Sequence, residues 1–136
     1  MTAELYCKVC VRNFGMSTFP VAIQVGHPSD DRFEFVEGLV DTRSSHSAFP
    51  GRLLDELGIA RTGRMPFRFA DESIHEFDIG TARIRIDGEV RFSVVVFNEL
   101  GAQPLLGAIT LEEFSLAVDP VGRRLIPVPG LMMRFR

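Results

Sequence analysis

Gly38-Leu39-Val40-Asp41-Thr42-Arg43-Ser44-Ser45 is the stretch on which the fold turns. It closes a segment, residues 32–40, that begins by alternating charged and aromatic side chains and ends almost wholly apolar, as a strand does on passing from a sheet edge into a core. A carboxylate is thereby delivered where the strand stops. Asp41 opens a polar turn that runs to Ser47. Beyond it, Pro50-Gly51-Arg52-Leu53-Leu54-Asp55-Glu56-Leu57-Gly58 carries Pro at a helix start, leucines at i, i+1 and i+4, and Gly as a stop. That pattern predicts a helix of about two turns.

Working outward, the sequence reads as strands. Residues 4–13 and 19–25, with Asn13-Phe14-Gly15 between them, predict an opening hairpin. Residues 66–69 and 74–79 have period-two character on either side of Ala70-Asp71-Glu72-Ser73, which predicts a second hairpin with a polar tip. Residues 83–87 and 90–97 predict two more strands joined at Gly88, the isoleucines of the first facing a core and its arginines facing water. After Leu105-Leu106-Gly107, residues 110–114 predict a second short helix with Thr110 as its cap. Residues 116–119 and 125–128, around a Pro120-Val121-Gly122 turn, predict a closing pair. The expectation is one mainly β domain over residues 1–136, a closed or nearly closed barrel with two short helices, because so many strands must hide their edges.

Composition narrows the function. A chain of 136 residues, 46% hydrophobic and 24% charged, can bury a core without disulfides or a structural metal, and eight prolines with twelve glycines exclude long helices. A net charge of -3 argues against nucleic acid as a partner, since duplex binding needs a concentrated basic excess. No run approaches the ~18 apolar residues of a membrane helix, and residues 1–8 lack a basic and then apolar leader, so the expected location is the cytoplasm without membrane contact. Cys7 and Cys10 form a lone CxxC, half of a zinc set; the reading is two ordinary thiols and no metal, with a site shared between two chains as the alternative. His27, His46 and His75 show no ligand spacing. The run Ser44-Ser45-His46-Ser47 has no GxSxG context that would make it a hydrolase nucleophile.

Five blocks in fixed order carry a resemblance: residues 38–45; Phe49-Pro50 with the helix at 53–59; Phe69-Ala70-Asp71; Leu105-Leu106-Gly107-Ala108-Ile109-Thr110-Leu111-Glu112; and Leu116-Ala117-Val118-Asp119-Pro120. Over about residues 20–128 the chain resembles the retropepsin-like aspartic peptidases, in particular their small single-domain prokaryotic members. The resemblance implies a homodimer acting on a peptide or protein substrate without metal or cofactor. Asp41 is then the catalytic carboxylate, one from each chain, and Thr42 ties the two active-site loops together. Ala70, Asp71, Glu72 and Ser73 become the flap over the substrate, and Leu106-Gly107 the pair beneath the catalytic loop. Two carboxylates held close share one proton, so that one activates water while the other hydrogen-bonds the scissile carbonyl.

The chain departs from the pattern at one position. Arg43 stands where the motif Asp-Thr-Gly or Asp-Ser-Gly has glycine, and two guanidinium groups beside the dyad would favour loss of the shared proton. Two outcomes follow for Arg43. Either it lies by the dyad and weakens catalysis, leaving a dimerisation or peptide-binding module, or it turns away to a carboxylate such as Asp55 or Glu56 and leaves the peptidase intact.

Overall fold

The computed structural model describes residues 18–134. In chain order it contains β1 (Phe19–Gly26), β2 (Phe33–Val40), β3 (Ser47–Pro50), α1 (Gly51–Glu56), β4 (Gly63–Arg68), β5 (Ile74–Ile86), β6 (Glu89–Asn98), β7 (Leu105–Leu106), α2 (Ala108–Glu113), β8 (Leu116–Asp119) and β9 (Arg124–Pro127). The structure is mainly β with two short helices, as the sequence predicts.

Six strands close into a ring. β1 pairs antiparallel with β2, β2 runs parallel to β7, β7 meets β3, β3 runs parallel to β6, β6 pairs with β5, and β5 returns to β1. β5 makes the closure possible by serving two neighbourhoods along its 13 residues. Its second half sits between β6 and β1, while Ile74 to Asp78 leave the ring and pair only with β4. The β4–β5 hairpin is therefore cantilevered from the ring, with β4, which contains Pro66, as its outer strand.

The interior is filled by side chains from the ring and from α1, among them Phe49, Leu54, Ile84, Leu106, Val25, Val40 and Val95, none of which retains measurable exposure. Each large side chain so buried contributes about 1.5–3 kcal/mol. β2 follows its sequence pattern: Phe35 near its start is exposed, and Gly38 and Val40 at its end are buried. β8 and β9 form a separate two-stranded sheet in which Leu116 opposes Pro127 and Asp119 opposes Arg124.

Two sequence expectations need correction. Residues 74–79 and 83–87 are one continuous strand, because Gly80 makes no turn; it lets the carbonyl of Ala60 approach β5 so closely that a Cβ would collide with it. The second helix begins at Ala108, two residues early, and Thr110 lies inside it with its hydroxyl turned to the core. The arm at residues 19–25 pairs with β2 and β5, while its expected partner at 4–13 lies outside the described residues, as do Cys7 and Cys10. Among the described residues no helix is long and apolar enough to cross a membrane.

Candidate functional site

The Asp41 loop is fixed by its backbone. The Asp41 N–H donates to the Leu106 carbonyl at 3.1 Å, extending the parallel β2–β7 ladder by one step, and the Ser44 N–H donates to the Asp41 carbonyl at 3.1 Å. The carbonyls of Ser44 and Ser45 then accept from the N–H groups of Ala108 and Ile109, both at 2.9 Å. These are the first donors of α2, which lack partners within a helix, and α2 accordingly has no side-chain cap. The loop and the helix end thus complete one another.

Beneath the loop lies a buried polar cluster. Ser47, Ser93 and Thr110 are at most 2% exposed. The Ser47 hydroxyl accepts from the Gly107 N–H at 2.9 Å and lies 2.6 Å from the Thr110 hydroxyl, which lies 2.8 Å from that of Ser93. The chain ties β3, β6 and α2 together, and it satisfies hydroxyls that would otherwise be expensive to bury. Gly107 is required by contact: a Cβ there would stand 2.5 Å from the His46 carbonyl carbon and oxygen.

Asp41 itself is claimed by Arg43. The Arg43 backbone N–H donates to Asp41 Oδ1 at 3.0 Å in an Asx-type turn, and its guanidinium closes a fork, Nε to Oδ1 at 3.0 Å and Nη2 to Oδ2 at 3.1 Å. Neither sequence alternative describes this arrangement fully. Arg43 lies at the carboxylate, as the first required, but it grips both oxygens of its own chain's Asp41. The carboxylates offered by the second carry other arginines, Arg61 on Asp55 and Arg52 on Glu56.

The hairpin roofs this loop. Period-two geometry puts Met65, Phe67 and Phe69 of the β4 arm on the same face as Phe77 of β5, with Met65 directly opposite Phe77. The rings touch in sequence: His46 to Phe67 at 5.3 Å and 80°, Phe67 to Phe77 at 6.1 Å, and Phe77 to Phe69 stacked at 6.0 Å. Between roof and loop lies a cleft of about 860 Å³. Asp41, Arg43 and Ser45 line one side of it, the aromatic roof another, and Ala48, Val96 and Leu105 its floor.

The expected site residues therefore divide. Asp41, Arg43 and Ala70 line the cleft. Thr42 is buried at 6% exposure behind the loop. Asp71, Glu72 and Ser73 form the exposed to half-buried hairpin tip, where Ser73 donates its N–H and hydroxyl to Asp71 and holds that carboxyl below its usual range. Leu106 and Gly107 are buried under the loop, and Leu105 faces the cleft in their place. The residues that sequence reasoning missed are the roof, Arg68 and His46. The roof was visible as every second residue of the hairpin arms. His46 is half-buried against Phe67, its Nδ1 lies 2.8 Å from the Ser45 hydroxyl, and burial holds its imidazole below the usual value.

Charge secures the hairpin's root. Arg61 reaches Asp55 on α1 at 2.6 Å and Asp78 on β5 at 2.7 Å, and its guanidinium lies 4.4 Å over the Phe97 ring. Arg64 spans from β4 to Glu76 and Asp78 on β5. Among the described residues no cluster of three or more His, Cys, Asp or Glu side chains is grouped as metal ligands would be.

No family profile matches the chain, and no curated protein matches it. Among solved structures it is similar to the solution structure of Simian Foamy Virus (mac) protease, with 11% identity, a TM-score of 0.50, and coverage of 68% of this chain and 91% of that one. At that identity the likeness bears on the path of the backbone alone. Ring, hairpin and loop together make this a retropepsin-like fold.

Proposed function

We propose that the protein is an aspartic-endopeptidase-like homodimer in which an extended peptide binds between the Asp41 loop and the β4–β5 hairpin, and in which Arg43 restrains hydrolysis. The carrying observation is the placement of Asp41: 17% exposed on a cleft wall, beneath an aromatic roof, with both carboxylate oxygens held by Arg43. In this reading two copies of the loop meet on a twofold axis, and the paired carboxylates share a proton and activate water. Thr42, next to the carboxylate, supports the loop at that axis, and the hairpin closes over the substrate backbone. Arg43 opposes the reaction because three of its N–H donors already occupy the Asp41 oxygens that would accept from water.

The test is hydrolysis of unstructured polypeptides between pH 4 and 7 by the natural chain, by Arg43→Gly and by Asp41→Asn/Arg43→Gly. Arg43→Gly should cleave at least tenfold faster than the natural chain, with loss of cleavage when Asp41 is also replaced and in the presence of a statine-type inhibitor. Cleavage that survives Asp41→Asn, or a monomer in analytical ultracentrifugation, refutes the proposal. A second reading, a peptide-binding module without hydrolysis, is favoured by the two-point Arg43 fork; it predicts peptide binding and no cleavage from either natural chain or Arg43→Gly.

A further inference from the structure

Side chains on the ring strands alternate between core and water, and the register sets the outward ones of β2, β1, β5 and β6 side by side. Aromatic rings stand at the two margins of this face, Phe33 and Phe35 on β2 and Phe92 on β6, with Arg83 and Arg85 of β5 between them. Phe35 is 78% and Phe92 58% exposed. β1 has Gly26 here because the Phe33 ring lies across it, and the guanidinium groups of Arg83 and Arg85 stack on that ring at 4.8 and 4.1 Å.

The charge of these two arginines has no counterpart. Arg83 donates to the carbonyls of His27 and Asp30, and Arg85 to the side-chain oxygen of Gln24, all of them neutral acceptors. Neither joins an ion pair among the described residues; the Asp30 carboxylate is taken by Arg32. Of the outward positions on these strands within the ring, Glu37 alone is acidic. It lies two strands and two residues from Arg85, about 12 Å on sheet dimensions and beyond the ~8 Å reach of charge in physiological salt. Each guanidinium also spends at most two of its five N–H donors here.

We propose that this face docks an amphipathic helix of another protein, one that carries a carboxylate between two apolar anchors. Where β1 and β5 pair, their backbones are bonded on both sides, so the occupant meets side chains alone and must satisfy its own backbone, as a helix does. From Phe35 to Phe92 is three strand spacings, about 14 Å, or two to three helical turns. The anchors rest on those two rings, and the carboxylate between them meets Arg83 and Arg85. Charge opposes the other occupants. A second copy packed face to face sets these arginines against their like. Residues 1–17 hold Lys8 and Arg12 against Glu4, and residues 128–136 hold Arg134 and Arg136 with no acidic side chain. The proposal does not depend on hydrolysis in the cleft.

The experiment titrates the full chain, by fluorescence anisotropy and by amide chemical shifts, with short stapled helices of Ala and Gln that carry two Leu anchors on one face and Glu, Gln or Lys between them. The Glu helix should bind about tenfold more tightly than the Gln helix, with the Lys helix weakest and the advantage shrinking as salt rises. Shifts should gather on β1, β2, β5 and β6 around Gln24, Phe35, Arg85 and Phe92 and leave the Asp41 loop unmoved. Phe35→Ser and Phe92→Ser, at exposed positions where little packing is lost, should each weaken binding about tenfold, and Arg85→Gln should erase the Glu-over-Gln preference. Equal affinities for the Glu and Gln helices, shifts confined to the cleft, or no binding by any helix overturns the inference. So does a dimer that Phe35→Ser dissociates, which gives the face to a second copy, or tighter binding of oligothymidylate than of the Glu helix, which gives it to nucleic acid.

Discussion

The Asp41 loop and the β4–β5 hairpin face each other across one cleft, yet they are held by opposite means. The loop is fixed by buried backbone hydrogen bonds to Leu106, Ala108 and Ile109, by the hydroxyl chain under it, and by a contact at Gly107 too close for any side chain. The hairpin leaves the ring on two strands, and its outer face is laced by Arg61, Arg64 and Arg68 to carboxylates that water reaches. Buried, geometrically strict bonds leave an element one position; exposed ion pairs are screened and exchange among neighbours. The comparison teaches that the wall bearing the carboxylate is held by buried, geometrically strict bonds and the roof by exposed ones that salt weakens.

The sharpest way to break the contrast is Gly107→Ala. The added Cβ must push the His46 backbone away, so unfolding in urea should show a loss of about 3 kcal/mol, and a loss under 1 kcal/mol would mean the loop yields more easily than its bonds suggest. Thr110→Val keeps the shape of the side chain but removes the hydroxyl at the centre of the Ser47 and Ser93 pair. It should cost about 2 kcal/mol, measured the same way, with Thr110→Ser recovering most of it.

On the other side, Arg61→Ala should leave the urea midpoint of global unfolding little changed while raising amide exchange through residues 63–79 several-fold. The same exchange should rise in the natural chain when salt is added. If exchange in the hairpin stays unchanged in both cases, the ion pairs do not hold it.

The smallest effect comes from the residue that spans the two regions. Burial holds His46 below its ordinary value, so as pH falls below about 6.5 the unfolded chain takes up this proton before the folded one does. Stability from this group is therefore present above that pH and lost as pH drops through the folded value. His46→Phe should flatten the decline in melting temperature between pH 7 and 5. An undiminished decline assigns the slope elsewhere.

How much of this was legible in the sequence depended on whether the information was local. The strand running inward to Asp41, the Pro-started helix and the polar hairpin tip could be read because each is written in adjacent residues. The Asx turn that folds Arg43 back on Asp41 is also a local signal, two residues long, and was readable in principle. Thr110 was misleading because a hydroxyl near a helix start suggests a cap, whereas its partners Ser47 and Ser93 are 63 and 17 residues away. The reason for Gly80 is likewise non-local, the Ala60 backbone that the ring brings against it. The continuity of β5 and the pairing of β7 with both β2 and β3 are products of closure and leave no mark on any single window.

A roof strand lying outermost in its sheet is an open invitation to stacking by other copies, and the aromatic underside would make such stacks adhesive. Pro66 removes one amide hydrogen from the middle of that six-residue strand, and Arg64 and Arg68 flank the gap with like charges. Fibrous self-assembly along this rim is thereby interrupted at its first rung.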